Sequence, residues 1–339
     1  MELCKLCCER PADKTNTHYL TDGVIRSCLN EAGSNEREKA MAFNISIDEK
    51  SIEARFQRNT SQKEILETFG REASEEEIQE AKKPMFSVDH VFCSECEKKF
   101  TLIETPFLQN ILPKLRGRDF TGQQEISFND DLLREFFLLQ VYRTAVCDSG
   151  YRLSERKVEV LRQYFNDPQS NIKQLKSMPL QVTYLNTLGE AYEYTTNTVG
   201  IATQNNNRSI LFNDFIIQTS SDDQKIYPID FFGLNSGNIL QEFTNLNEDG
   251  FRIRILDNPQ RKALFAEYHK EKAVIFKNNY RVEFSRRFFN TYGTKPNPTF
   301  VEEFVNAVIH SGEVQDESKY SSAHFEKMCA IYLAKYRPV

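Results

Sequence analysis

VFCSECEKKFTLIETPF, residues 91–107, carries one Cys-x-x-C pair, Cys93 and Cys96; LCKLCC, residues 3–8, carries another, Cys4 and Cys7. Two such pairs supply four thiolates, enough to close a tetrahedral Zn2+ site with Zn–S bonds of about 2.3 Å. Past Cys96, the residues Phe100, Ile103, Glu104 and Phe107 recur at helical spacing, so the second pair sits at the mouth of a helix. The first pair is a bare knuckle followed by a turn and a short extended segment. The chain between the pairs, residues 8–92, is long against the roughly 12–20 residues of compact zinc patterns. The assignment of Cys4, Cys7, Cys93 and Cys96 as ligands of one structural zinc therefore rests on the pairs themselves. A redox Cys-x-x-C calls for a βαβ pattern beside it, and the flanking sequence has none.

Composition narrows the class. The chain has 339 residues with 43 Lys and Arg against 49 Asp and Glu, a formal net charge of −6. That length suits two or three domains. The acidic balance gives no global signature of a nucleic-acid binder, although a local basic face is compatible with it. No apolar run approaches the roughly 18 residues of a membrane span. The N-terminus, MELCKLCCER, is polar and lacks the apolar core of a secretory signal. Thiols without such a signal are expected in a cytoplasmic protein, held by metal or buried.

Working outward from the paired cysteines, the pattern divides the chain. Residues 1–125 read as the zinc core, with residues 31–84 inserted between its two halves. Within that insertion Phe43–Ile47 alternates like a strand, and 61–69 and 74–81 read as helices. Ser74 and Glu77 have the spacing of a capping box. Phe86 to Phe92 reads as a strand leading into Cys93. Residues 126–177 read as helical. Asn129 or Asp130 starts a helix over 132–146, Ser154 starts the next, and Arg143, inside the apolar first of these, needs a carboxylate or a carbonyl. Residues 178–256 are β-like segments broken by Asn, Gly, Ser and Asp, expected to form a mostly antiparallel sheet or small barrel. Residues 257–339 return to helix, where Lys277, Arg281, Arg286 and Arg287 form a basic side. Of these, Lys277, Arg281 and Arg287 are the candidate nucleic-acid contacts, and a solvated helix face is the competing reading. The fold class expected is α+β.

A bare knuckle combined with a knuckle that feeds a helix has the geometry of a treble clef. The residues resemble a set of bacterial and phage proteins related to HNH endonucleases. The resemblance is carried by Cys4-Lys5-Leu6-Cys7, Thr17-His18-Tyr19-Leu20, Phe92-Cys93-Ser94-Glu95-Cys96-Glu97, then Phe100, Glu104 and Phe107, and by a helix ending in Tyr142-Arg143. It covers about residues 1–165. It implies a ββα-metal nuclease core stapled by zinc, in which His18 is the general base and Glu97 or Glu104 holds a Mg2+ or Mn2+ ion. The competing reading is a His18 hydrogen-bonded to backbone beside the zinc, with both carboxylates bonded to backbone N–H groups at the helix start or paired with Arg143. Two departures stand out: Glu97 replaces the usual histidine after the second pair, and no asparagine takes the central HNH position.

Two functions follow. One is an HNH-like, metal-dependent nuclease cutting phosphodiester bonds in phage defence. The other is a non-catalytic, zinc-stapled module of a defence or mobile-element system that binds nucleic acid or a protein partner from the same operon. Neither involves a membrane.

Overall fold

The computed structural model describes residues 2–27, 41–44, 53–56, 61–69, 72–82, 86–167, 172–186, 199–204, 206–222, 243–310 and 322–336. In chain order the elements are β1 (Thr17–His18), α1 (Asp22–Ser27), β2 (Met41–Asn44), β3 (Glu53–Phe56), α2 (Gln62–Phe69), α3 (Glu75–Ala81), β4 (Ser87–Val88) and α4 (Ser94–Pro106). They continue with α5 (Leu112–Arg116), β5 (Glu125–Phe128), α6 (Leu132–Cys147), α7 (Glu155–Asn166), α8 (Ile172–Lys176) and β6 (Leu180–Leu185). The remainder are β7 (Val199–Gln204), β8 (Asn207–Phe212), β9 (Phe215–Ser220), β10 (Thr244–Asn245), β11 (Phe251–Leu256), α9 (Asn258–Tyr292), α10 (Pro298–Ile309) and α11 (Ser322–Lys335). The chain forms two compact units: residues 1–37 with 84–266, and residues 38–83 with 267–339.

The first unit is a mixed α+β body. Its sheet runs β5-β11-β6-β9-β8-β7, with β10 also pairing β6. The ladders are antiparallel except β11 against β6, which is parallel. The sheet is mostly antiparallel, as expected of 178–256, but it departs from that block at one edge: strand β5, from outside it, pairs with β11. Alternation sends Val182, Tyr184, Ile210, Phe212, Phe215 and Ile217 to one face, where they join the core with α6. Aromatic rings tie the layers together. Phe107 stacks on Phe136 at 3.6 Å, and Phe137 meets Phe215 at 5.2 Å and Phe251 at 6.0 Å. Each ring so buried contributes about 1.5–3 kcal/mol relative to exposure.

Helix α6 is buried from Leu133 to Thr144 except at the half-buried Glu135, and the buried residues include Arg134, Gln140 and Arg143. An internal helix has no polar stripe, so each of these polar side chains has to find its partner inside the fold. Helix α4 ends at Pro106, whose missing N–H interrupts the helical ladder; residues Phe107–Ile111 continue as a wider π turn into α5.

The segment 86–92 is not the continuous strand expected from its alternation. Only Ser87–Val88 pairs, with Thr17 opposite Val88 and His18 opposite Ser87. Phe86 and His90 take φ values of +55° and +59°, in the left-handed region that strands cannot use, and so stop the ladder at both ends.

The second unit contains the β2–β3 antiparallel hairpin, α2, α3 and the helices α9 beyond Ala266, α10 and α11. Phe284 stacks on Phe304 at 3.9 Å, and Phe276, Tyr280, Phe288, Val305 and Phe325 complete this helical core. The capping box of α3 forms as read. The Ser74 N–H donates to Glu77 Oε2 at 2.9 Å, and the Glu77 N–H donates to Ser74 Oγ at 3.2 Å. Ser74→Ala is expected to lower stability by about 1 kcal/mol, measurable as an earlier urea midpoint with unchanged slope.

Candidate metal centre and the adjacent polar cluster

The two Cys-x-x-C pairs meet. The four sulfur atoms of Cys4, Cys7, Cys93 and Cys96 lie within 4.8 Å of one another, and all four residues are buried. This is the metal-competent cluster among the described residues. The backbone explains the meeting. The Lys5 N–H donates to the Val91 carbonyl at 2.9 Å, the Lys14 N–H to Phe92 at 3.1 Å and the His90 N–H to Lys14 at 2.8 Å, zipping the N-terminal segment to residues 90–92. Asp13 then caps α4 from across this seam, accepting from the Ser94 N–H at 2.8 Å. That hydrogen bond holds the Asp13 carboxyl below its usual range.

The chemistry of the set suits a thiophilic cation. Burial and the neighbouring thiol push Cys96 up. At Cys7 the N–H groups of Glu9 and Arg10 outweigh burial and pull the thiol down. Four sulfurs this close cannot all ionise beside one another without a cation, and metal binding releases the protons they share. A tetrahedral Zn2+ with bonds of about 2.3 Å puts its sulfurs about 3.8 Å apart, within the span observed. Cys8 is exposed, with φ +58°, and is not part of the cluster.

Beside the cysteines lies a polar cluster centred on Arg143. Its side chain is 3% exposed. Nη1 donates to Glu104 Oε1 at 2.7 Å, Nη2 donates to the His18 carbonyl, and Glu97 Oε2 lies 3.7 Å from Nη2. The guanidinium also sits 5.1 Å from the Phe100 ring centroid. Glu104 Oε1 accepts in addition from Thr21 Oγ1 at 2.6 Å. Glu97 and Glu104, seven residues apart on α4, thus share one face and one cation. Burial pushes the Glu97 carboxyl up, against the pull of Arg143. His18 enters the cluster through its carbonyl; its imidazole Nε2 is 4.0 Å from Asp22 Oδ1, with both side chains about one quarter exposed. The structure therefore brings Glu97, Glu104 and the His18 backbone together around Arg143. Sequence reading foresaw that Arg143 would need a carboxylate or a carbonyl, and it takes both. The parts played by Thr21 and Asp22 had no local signal.

The basic side of α9 is placed in the second unit. Arg281 makes a two-pronged pair with Glu302 of α10 at 2.6 and 2.9 Å. Arg287 donates to Glu283 at 2.9 Å and to Glu326 of α11 at 2.6 Å. Lys277 lies half-buried on the same helix. Two of the three cations are thus occupied in holding helices together. Among the described residues no helix is long and apolar enough to cross a membrane.

Compared with family models, with curated proteins and with solved structures, the chain matches none.

Proposed function

We propose that this chain is a zinc-clamped binding module, treble-clef in plan like the HNH-related proteins it resembles, whose β1–α4 junction serves architecture and not phosphodiester cleavage. The observation that carries this reading is Arg143. Its guanidinium already supplies the positive charge between the end of β1 and the carboxylate face of α4, and Glu104 Oε1 accepts from both Thr21 and Arg143. Cys4, Cys7, Cys93 and Cys96 would hold the zinc. A zinc closed by four thiolates has no open position, so it contributes folding energy and no Lewis-acid chemistry. A net charge of −6 and the internal pairing of Arg281 and Arg287 favour a protein partner over nucleic acid.

The nuclease reading keeps one observation. His18 stands at the end of β1, partly exposed and near Asp22, where the resembling nucleases carry their base. One experiment separates the two. Purified parent, His18→Ala and Glu97→Ala proteins are checked for zinc content and assayed on DNA and RNA with Mg2+ and Mn2+. The expected result is one zinc per chain and no cleavage above background in any of the three. Cleavage by the parent that falls about 10²–10⁴-fold in His18→Ala would overturn the binding reading.

A further inference from the structure

The first knuckle is held from behind by two side chains distant in sequence. Tyr142 Oη, on α6, donates to the Lys5 carbonyl at 2.9 Å across 137 residues. Arg162 Nη1, on α7, donates to the Leu6 carbonyl at 3.0 Å across 156 residues. Neither donor is loose. Tyr142 is fully buried, and the Arg162 fork is fixed by Glu159, which accepts from Nε and Nη2 at 2.7 Å each.

Lys5 and Leu6 are the two residues between Cys4 and Cys7, so both bonded carbonyls belong to the knuckle itself. A trans peptide is planar, with its C=O and N–H in opposite directions. Holding the Lys5 and Leu6 carbonyls therefore fixes the planes of the two peptides that lead from Lys5 to Cys7.

We propose that Tyr142 and Arg162 are positioning residues of the metal centre, holding through two peptide groups the turn that presents Cys4 and Cys7. The proposal rests on the zinc reading above. Outer-shell groups that orient metal ligands are typically worth 10–100-fold in affinity. Arg162 adds a positive charge to its peptide, whereas Tyr142 adds a neutral hydroxyl, so the arginine has the larger effect.

The test is competition for Zn2+ between the full-length protein and a chromophoric chelator, with Co2+ in place of Zn2+ to read the thiolate charge-transfer band. Tyr142→Phe removes only the hydroxyl and keeps the buried ring. Arg162→Leu removes the donor, and Arg162→Lys restores charge without the fork. Tyr164→Phe is the control, because the Tyr164 hydroxyl bonds Glu135 on the same helix pair and does not touch the knuckle. The expected result is zinc affinity weakened about 10-fold or more in Tyr142→Phe and further in Arg162→Leu, with a shifted Co2+ band. Arg162→Lys is expected to recover part of the loss, and Tyr164→Phe to match the parent. Parent-like affinity in both Tyr142→Phe and Arg162→Leu would overturn the inference while leaving the zinc clamp standing. An equal loss in Tyr164→Phe would also overturn it, by reducing the effect to general stability. A parent that takes no zinc would remove the clamp itself and the inference with it.

Discussion

Cys96→Ser protein is expected to lose its stoichiometric zinc and to leave the first unit without a cooperative melting transition. Cys96 is fully buried in the first turn of α4 and shares its sulfur cluster with both halves of the seam. Apparent binding energies of structural zinc sites run to about 10–16 kcal/mol. That equals or exceeds the whole folding stability of an ordinary domain, about 5–15 kcal/mol. Removing one thiolate therefore asks the remaining core to hold the knuckles unaided, with buried sulfurs on both sides. Elemental analysis, circular dichroism and a thermal scan read the result, and an excess of chelator should do the same to the parent. Unchanged zinc content and melting in the serine variant would show that the ligand set is wrong.

The second large effect is expected at Arg143. In Arg143→Met the packing volume and the helix are kept, but Glu104 loses its charge partner, Glu97 loses its nearest cation and the His18 carbonyl loses a donor. Removing one member of a buried pair costs about 3–5 kcal/mol, because an uncompensated charge stays behind. The two carboxylates keep some solvent access, 19% and 17% of their side chains, so the lower end of that range applies. The melting temperature should fall on the order of 10 °C. Arg143→Lys should recover little, since one ammonium cannot reach three acceptors as a planar fork does. Adding Glu104→Gln to Arg143→Met should recover part of the loss by removing the stranded charge. A melting temperature unchanged in Arg143→Met would show that the cluster does not stabilise the junction.

What could be read in the chain beforehand was local chemistry. A Cys-x-x-C pair announces itself within four residues, and the two pairs converge despite the 8–92 gap. Ser74 with Glu77, and Ser154 ahead of α7, are caps whose partners lie three residues away. What could not be read depends on partners far along the chain. Glu97 and Glu104 were open to a reading as partners of Arg143, but the His18 carbonyl and Thr21 join the cluster only in the folded seam. Strand β5 pairs with β11 across more than a hundred residues, and its short, half-exposed alternation gives little sign of a sheet edge. The segment at 86–92 misled because alternation reports the side on which side chains emerge, whereas left-handed Phe86 and His90 decide where pairing stops. The arginines of α9 take carboxylates from other helices, Glu302 and Glu326, which no local reading supplies, and from Glu283 on α9 itself, which lies four residues from Arg287.

The seam between residues 2–14 and 86–96 means that an ion at the four sulfurs would tie together two stretches far apart in the chain. On the zinc reading, a backbone cut placed after α1 and before β4 would leave an amino-terminal fragment still fastened through two sulfurs, the short β1–β4 ladder and the packing of Leu20 and Val24. The nicked protein should run as one species, and a chelator should loosen it. The ion would then serve as a reversible inorganic rivet between two pieces of one core.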